Sequence, residues 1–145
     1  MYVERLLSVA REKLVIIAGD APLMEVAHLL HKGADLVVVC NSAGFVAGVI
    51  TKTDVVDQMS RCQEASCAMA ASLTMTRDVV NCRPDELLQA VWKRMKERKL
   101  KNIPVVDKDT RPVGVLHARN ILQVLLKESK DEEAMLRDYV MGIGY

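Results

Sequence analysis

The chain has 145 residues, enough for one compact domain or for two half-sized units that share a core. Its 20 basic and 19 acidic residues give a net charge of +1, which excludes the one-sided basic charge typical of nucleic-acid-binding proteins. Neither a membrane-length apolar run nor a signal peptide is visible, so we expect a cytoplasmic protein that binds neither membranes nor nucleic acids.

The first part of the chain predicts an N-terminal helix at 1–12, followed by a unit with the order β-α-β-β-α at 13–60, here named unit 1. Continuous apolar runs predict its strands, and apolar residues at helical spacing predict its helices. The expected strands are 14–17, 36–40 and 45–50, and the expected helices begin near Pro22 and Asp54. The inward face of the last helix is predicted to be Val55, Val56 and Met59.

The same order recurs at 76–127, named unit 2. Its expected strands are 78–80, 102–106 and 112–116, and its expected helices begin near Pro84 and Asn120, with Leu87, Leu88, Ile121, Leu122, Leu125 and Leu126 among the inward residues. Val15 and Val79 are 64 residues apart, whereas Gly48 and Gly114 are 66 apart. One two-residue length difference therefore aligns the units, which indicates an internal duplication.

Two further segments complete the predicted organisation. Residues 61–75 are expected to be a linker, partly helical, that contains Cys62 and Cys67. Residues 128–145 are expected to be a helical tail, in which the acidic triplet at 131–133 predicts the start of a separate helix.

The recurring motifs resemble the cystathionine β-synthase (CBS) domain, which occurs in tandem pairs. The resemblance rests on Asn-Ile-Pro-Val-Val-Asp at 102–107, Pro-Val-Gly at 112–114 and Gly-Val-Ile-Thr-Lys-Thr-Asp at 48–54. It implies an α/β (α+β) fold of two β-α-β-β-α CBS units, packed sheet to sheet as a tandem pair, with flanking N- and C-terminal helices. It also implies a homodimer that binds an adenosine-containing ligand between its units, such as AMP, ADP, ATP or S-adenosylmethionine, and acts in regulation and energy sensing without catalysis.

The segment from Thr51 to Asp54 is the main candidate for a nucleotide site. It joins a strand to a helix N-terminus, whose free N–H groups suit a phosphate, and Lys52 adds a mobile cation. An ionised Asp54 can accept two hydroxyl groups at once, which matches the diol of a ribose. The competing interpretation is that Asp54 only caps its helix. The resemblance implies an adenine slot made by unit 2, at Thr76, Val79, Val80, Asn102, Ile103 and Pro104.

Unit 2 carries different residues at the corresponding positions. His117 replaces Thr51 and Asn120 replaces Asp54. Asn120 is uncharged and accepts through only one oxygen, so a second, degenerate site is expected to hold a diol less well. His117 and Arg119 can hydrogen-bond a phosphate there. The resemblance places Val15, Ile16, Asp35, Leu36 and Val37 across this second site.

Two alternatives to a nucleotide sensor stay open. The first is a dimerisation or interaction scaffold with no physiological ligand, which would act on an unidentified effector protein. The second is a redox or metal sensor that uses Cys62 and Cys67 or the helical pair His28 and His31. The sequence contains no recognisable nucleophile–base pair, metal-ligand cluster or P-loop, so we predict no enzymatic activity, no metal and no required cofactor.

Overall fold

The computed structural model describes residues 1–61 and 69–140. The predicted features at Cys62, Cys67 and residues 141–145 lie outside the described residues. A 3₁₀ turn, Val3–Leu6, leads into α1, Leu7–Glu12. Unit 1 then contains β1 (Ile16–Ala18), α2 (Leu23–His31), β2 (Val37–Cys40), β3 (Val46–Ile50) and α3 (Lys52–Arg61). The chain continues with α4 (Ala71–Thr74), α5 (Leu88–Arg98), β4 (Asn102–Val106), β5 (Pro112–His117) and α6 (Ala118–Val140).

Two small sheets pack against each other through strand β2. In unit 1, β2 lies between a parallel β1 and an antiparallel β3, whereas unit 2 has the antiparallel pair β4 and β5. Successive side chains of a strand point to opposite faces. Val37 and Val39 therefore pack against α2, while Val38 and Cys40 face the other sheet and contact Val115 of β5. The predicted packing of the two units sheet to sheet is confirmed.

The expected strand at 78–80 is wrong, and Pro104 supplies the reason. In unit 1, the N–H of Val38 donates to the carbonyl of Val15 at 2.9 Å. The residue that corresponds to Val38 in unit 2 is Pro104, which has no N–H to donate. Parallel pairing with β4 is reduced to one bridge, in which Cys82 contacts Val105. The backbone at 78–80 is therefore free to line a cleft.

Each short helix that precedes a unit packs on the other unit. Val3, Leu6 and Ala10 lie in the core of unit 2, where α1 contacts β5, while Ala71 of α4 lies in the core of unit 1. A side-chain carbon at Gly114 would lie only 2.6 Å from the Cβ of Ala10. Glycine is therefore required at this place in β5 for α1 to approach so closely.

Several helix predictions need correction. α5 begins at Leu88 and not near Pro84, because the Glu86 carboxylate accepts the Arg83 N–H at 2.7 Å and holds a turn before the helix. The acidic triplet starts no new helix, because α6 runs through it unbroken and Glu133 pairs with Arg137 one turn later. The core covers only a narrow stripe of each helix, so four helical residues predicted to face inward are exposed, namely Val56, Met59, Leu122 and Leu126. Leu87, also predicted to face inward, is exposed because it precedes α5.

Candidate functional site

The first cleft is a cavity of about 790 Å³ lined by both units. This volume lies within the usual range for sites that bind small molecules. Most of the residues predicted for the nucleotide site line it, namely Thr51, Lys52, Asp54, Thr76, Val79, Val80, Asn102 and Pro104. Ile103 does not, because its side chain is fully buried in the core of unit 2.

Asp54 lies in a capping box at the start of α3. Its Oδ2 accepts the Thr51 N–H at 2.9 Å and the Thr51 hydroxyl at 3.1 Å, and its own N–H donates to Thr51 Oγ1 at 3.4 Å. Thr51 is thus the N-cap residue, and Asp54 closes the box three residues later. Because this arrangement uses mainly Oδ2, the other carboxylate oxygen remains available to the cleft.

That second oxygen, Oδ1 of Asp54, faces Thr76 across the cleft. The Thr76 hydroxyl donates to it at 3.3 Å, a long bond that a rotation of the hydroxyl would release. Two backbone bonds fix Thr76 to β3, since its N–H donates to the Val49 carbonyl at 2.8 Å and its carbonyl accepts the Val49 N–H at 3.0 Å. A ligand hydroxyl could therefore replace the Thr76 hydroxyl while the backbone of the cleft stays in place.

The walls of the first cleft combine apolar and basic residues. Val79 and Val80 are half-buried and form an apolar surface of the kind that an aromatic ring needs. Arg98, Lys99 and Lys101 also line the cleft, whereas the basic run that contains them predicts a solvated helix face, with contact to a phosphate tail or an acidic partner as the alternative. The signal in the sequence was the basic run at 93–101, whose last residues follow the end of α5 and turn into the cleft.

Asn102 stands between the two clefts and lines both of them. Its Oδ1 is buried and has no hydrogen-bond partner within residues 1–61 and 69–140. An unpaired buried acceptor is unfavourable by about 1–3 kcal/mol. This oxygen is therefore a natural acceptor for a donor that comes from outside the chain.

The second cleft is smaller, with a volume of about 350 Å³. Three of the residues predicted for it, Val15, Asp35 and Leu36, line its wall. Two others do not, because Val37 is fully buried in the core of unit 1 and the Ile16 side chain is exposed. Asp35 and Leu36 line both clefts, which therefore meet along a shared wall, whereas His117 lines only the first cleft. Arg119 and Asn120, which were also predicted for the second site, are not among the described residues that line either cleft.

Lys13 closes the polar end of the second cleft, and sequence reasoning missed it. Its Nζ donates to Asn120 Oδ1 at 3.0 Å, and the same oxygen accepts the His117 N–H at 3.2 Å. Asn120 thus repeats the backbone bond that Asp54 makes in unit 1, but a cation of the chain itself lies where a ligand hydroxyl would approach. No local pattern predicts this contact, because it joins residues 107 positions apart.

His117 is held as a neutral imidazole. Its Nδ1 accepts the Arg119 N–H at 2.9 Å, and Arg119 is otherwise exposed. Burial is the main cause that lowers the pKa of His117, and the positive charges of Arg119, Lys13 and Lys101 lower it further, against the opposing charge of Asp35. A neutral His117 can donate one hydrogen bond to a ligand but contributes no positive charge.

The remaining candidates lie apart from both clefts. His28 and His31 are exposed on α2, and within the described parts of the chain no three His, Cys, Asp or Glu residues form a group that could hold a metal ion. No helix within the same residues is long and apolar enough to cross a membrane.

Solved structures that share this fold include CBS-domain proteins. The CBS-domain protein ATU1752 from Agrobacterium tumefaciens has a TM-score of 0.72 and 25% identity, over 84% of this chain and 91% of that one. The CBS domain pair of protein MJ0100, in complex with 5′-methylthioadenosine and S-adenosyl-L-methionine, has a TM-score of 0.73 and 21% identity, over 88% and 98%. The cytosolic domain of the Mg²⁺ channel MgtE, in complex with ATP, has a TM-score of 0.66 and 21% identity, over 83% and 52%.

Curated relatives share part of their length with this chain. A homoserine O-acetyltransferase of Methanococcoides burtonii is 29% identical over 118 residues, 81% of this chain and 23% of the relative. The uncharacterized protein MJ1404 of Methanocaldococcus jannaschii is 25% identical over 114 residues, 77% of this chain and 26% of the relative. The chain thus spans about a quarter of the length of these relatives. The sequence profile of the CBS domain matches residues 6–61 and 70–127, and the chain therefore belongs to the CBS-domain family.

Proposed function

We propose that this chain is a regulatory module that binds one adenosine-containing ligand in the first cleft and performs no catalysis itself. The observation that carries the proposal is the Asp54 carboxylate, which uses Oδ2 to close its helix cap and presents Oδ1 to a cavity of about 790 Å³. An ionised oxygen at that place suits ribose hydroxyls, Val79 and Val80 suit an adenine ring, and the first turn of α3 suits a phosphate.

Two further points support this proposal. The MJ0100 pair and the MgtE cytosolic domain were each solved with adenosine-containing molecules, and both share this fold. Asn102 lines the same cleft with an unpaired, buried Oδ1, for which a donor group of the ligand is a suitable partner. The similarity to the homoserine O-acetyltransferase gives no support for acetyl transfer by this chain, because the similar region is only 23% of that enzyme.

We further propose that binding has a stoichiometry of one ligand per chain. Lys13 already occupies Asn120 Oδ1 at 3.0 Å, and the second cleft is less than half the volume of the first. A regulatory ligand must also bind one arrangement of the protein more tightly than another. The first cleft lies between the units, so a ligand that contacts both would bias their relative placement, and an adenine nucleotide would make this placement a readout of cellular energy state.

Ligand-induced thermal stabilisation tests the proposed function. AMP, ATP and S-adenosylmethionine are each added to the wild type, to Asp54→Asn and to the control Asp57→Asn, which changes an exposed carboxylate on the same helix. We expect at least one ligand to raise the melting temperature, because a ligand that binds only the folded state stabilises it. Asp54→Asn should weaken binding about tenfold or more, as expected for lost bonds to a charged acceptor, and Asp57→Asn should not.

Two results would contradict this proposal. Absence of any shift with all three ligands would favour the interaction scaffold, and a shift that Asp54→Asn leaves unchanged would place the ligand elsewhere.

We also propose that the chain forms a homodimer through α3 and α6. Val56 is 65% exposed and Leu122 is 38% exposed, and the two residues occupy equivalent positions in units 1 and 2. Met59 and Leu126 extend the same two apolar surfaces by one turn. Because the duplication leaves both units with the same uncovered surface, a second copy related by twofold symmetry can cover both.

Light scattering coupled to size-exclusion chromatography tests the dimer. Val56→Glu and Leu122→Glu should each reduce the mass to that of a monomer, because each would bury a charge in an apolar interface. Ile16→Glu is the control, since Ile16 is 49% exposed but lies in β1, away from both helices. A wild type that is monomeric at every concentration would contradict this proposal.

A further inference from the structure

Three lysine side chains line the first cleft without partners. Lys52, Lys99 and Lys101 are all exposed, and none makes a side-chain hydrogen bond or ion pair with another residue in 1–61 or 69–140. Arg98 beside them behaves differently, because it pairs with Asp78 at 3.3 Å. The same cleft is also lined by Asp35, Asp54 and Asp78, so its basic residues outnumber its acidic ones by only one, but Lys52, Lys99 and Lys101 are not held in ion pairs with them.

The backbone of Lys99 is strained. Its φ is 55° and its ψ is 46°, a left-handed conformation that residues other than glycine adopt rarely. It ends α5, with the Leu100 N–H donating to the Met95 carbonyl at 2.9 Å. The equivalent residue in unit 1 is Gly33, which ends α2 with a φ of 117° and satisfies the same role without that strain. A lysine where glycine would be relaxed indicates a function for its side chain.

The position of the lysines relative to the proposed nucleotide defines what they can bind. Lys52 lies in the first turn of α3, whose first backbone bond runs from the Val55 N–H to the Thr51 carbonyl. The amides of Lys52 and Thr53, which take no part in the capping box, can hold one phosphate at the start of α3. Lys99 and Lys101 belong to the opposite unit, beyond the end of α5, and line the same cleft as Lys52.

We propose that Lys52, Lys99 and Lys101 form a polyphosphate subsite, so that the ligand is an adenosine di- or triphosphate in preference to AMP or S-adenosylmethionine. This proposal rests on the proposed adenosine site in the same cleft. The additional phosphates of ADP and ATP gain attraction to the lysines, whereas AMP has none to place there. S-adenosylmethionine has a net positive charge, because its sulfonium and ammonium groups outweigh its one carboxylate, so the same lysines disfavour it. Lys99 is the residue that determines this specificity.

Isothermal titration with AMP, ADP, ATP and S-adenosylmethionine tests the subsite in three proteins: wild type, Lys99→Gly and Lys108→Ala. Gly adopts the Lys99 conformation without strain, so Lys99→Gly should fold at least as stably as the wild type. Lys108→Ala removes an exposed lysine from the turn between β4 and β5, outside the cleft, and serves as the control.

We expect the wild type to bind ATP more tightly than AMP, with a difference that shrinks as salt is added. Lys99→Gly should weaken ATP binding about two- to fivefold, the range of one solvent-exposed ion pair. AMP binding should stay within about twofold, since its single phosphate lies at α3. Lys108→Ala should change neither. The double variant Lys99→Gly/Lys101→Ala should weaken ATP binding further, and free pyrophosphate, which matches the two outer phosphates, should compete with ATP more strongly than with AMP.

Three outcomes would overturn the subsite. These are equal affinity for AMP and ATP, tightest binding of S-adenosylmethionine, and ATP binding that Lys99→Gly leaves unchanged. In each case the adenosine site itself would still be supported if AMP bound the wild type and Asp54→Asn abolished that binding. Failure of every ligand to bind the wild type would instead refute the adenosine site and the subsite together.

Discussion

The substitution Gly114→Ala tests how the N-terminal helix is held on unit 2. The added methyl carbon would lie 2.6 Å from the Ala10 Cβ, 2.8 Å from the Ala10 carbonyl carbon and 3.0 Å from its oxygen. Two of these three atoms belong to the backbone, so no side-chain rotation can relieve the contact. We therefore expect α1 to move away from β5.

The magnitude follows from the size of this displacement. Overpacking a close contact typically costs about 1–3 kcal/mol, and the reduced freedom of the unfolded chain returns about 0.4–1 kcal/mol. A small displacement of α1 also loosens the packing of Val3 and Leu6, which are almost fully buried in the core of unit 2, and this loss offsets the gain from the unfolded chain. We expect Gly114→Ala to lower the free energy of unfolding by about 1–3 kcal/mol.

Urea unfolding and amide hydrogen exchange measure the two effects. Gly19→Ala is the matched control, because a methyl group there would meet only ordinary contacts, the nearest at 3.4 Å from Ser72 Cβ. Gly114→Ala should be less stable than Gly19→Ala and should lose exchange protection in α1. Equal stability of the two variants, with α1 still protected, would refute the packing of α1 on β5.

Three other predictions follow from contacts around the clefts. The double variant Lys13→Met/Asn120→Asp removes the ammonium group from the second cleft and introduces a carboxylate. Calorimetry should then find two ligands per chain in place of one, and an unchanged stoichiometry would mean that Lys13 does not block the second cleft. Folding lowers the pKa of His117, mainly by burial. Protons therefore bind the unfolded chain more readily than the folded one, and the free energy of unfolding decreases as the pH falls below about 6.5. Urea unfolding should therefore show that the free energy of unfolding decreases less between about pH 7.5 and pH 5.5 in His117→Thr than in the wild type. Equal decreases in the two proteins would contradict the prediction. Burial raises the pKa of the Cys82 thiol to about 12, so peptide mapping should find Cys82 alkylated only after unfolding, and rapid native labelling would contradict its place in the core.

The residues of the first cleft were predictable because the duplication aligns them. The place of Thr51 and Asp54 between a strand and a helix predicts their role, whereas Thr76, Val79 and Val80 are implied by the resemblance to the CBS domain. Local chemistry is sufficient for such predictions, since a capping box and a strand end depend on neighbours in the chain. The alternation of β2 between two buried faces likewise follows from five consecutive apolar residues at 36–40.

What escaped prediction depends on contacts between distant parts of the chain. The sequence at 78–80 is typical of a strand. Its pairing partner is the strand that contains Pro104, and Pro104 lacks the N–H that the corresponding Val38 donates in unit 1. The packing of α1 on unit 2 and of α4 on unit 1 is a tertiary contact, and the periodicity of a helix does not predict which unit the helix contacts. The bond from Lys13 to Asn120 joins opposite units, and Lys99 enters the cleft through a backbone conformation that its residue type disfavours.

A crystal structure of the chain grown with ATP tests the central claim most directly. The account predicts one nucleotide per chain in the first cleft, with a ribose hydroxyl within hydrogen-bond distance of Asp54 Oδ1 and the adenine ring against Val79 and Val80. It also predicts that the bond between Lys13 and Asn120 remains in the second cleft. A nucleotide bound only in the second cleft, or one in the first cleft that makes no contact with Asp54, would contradict it.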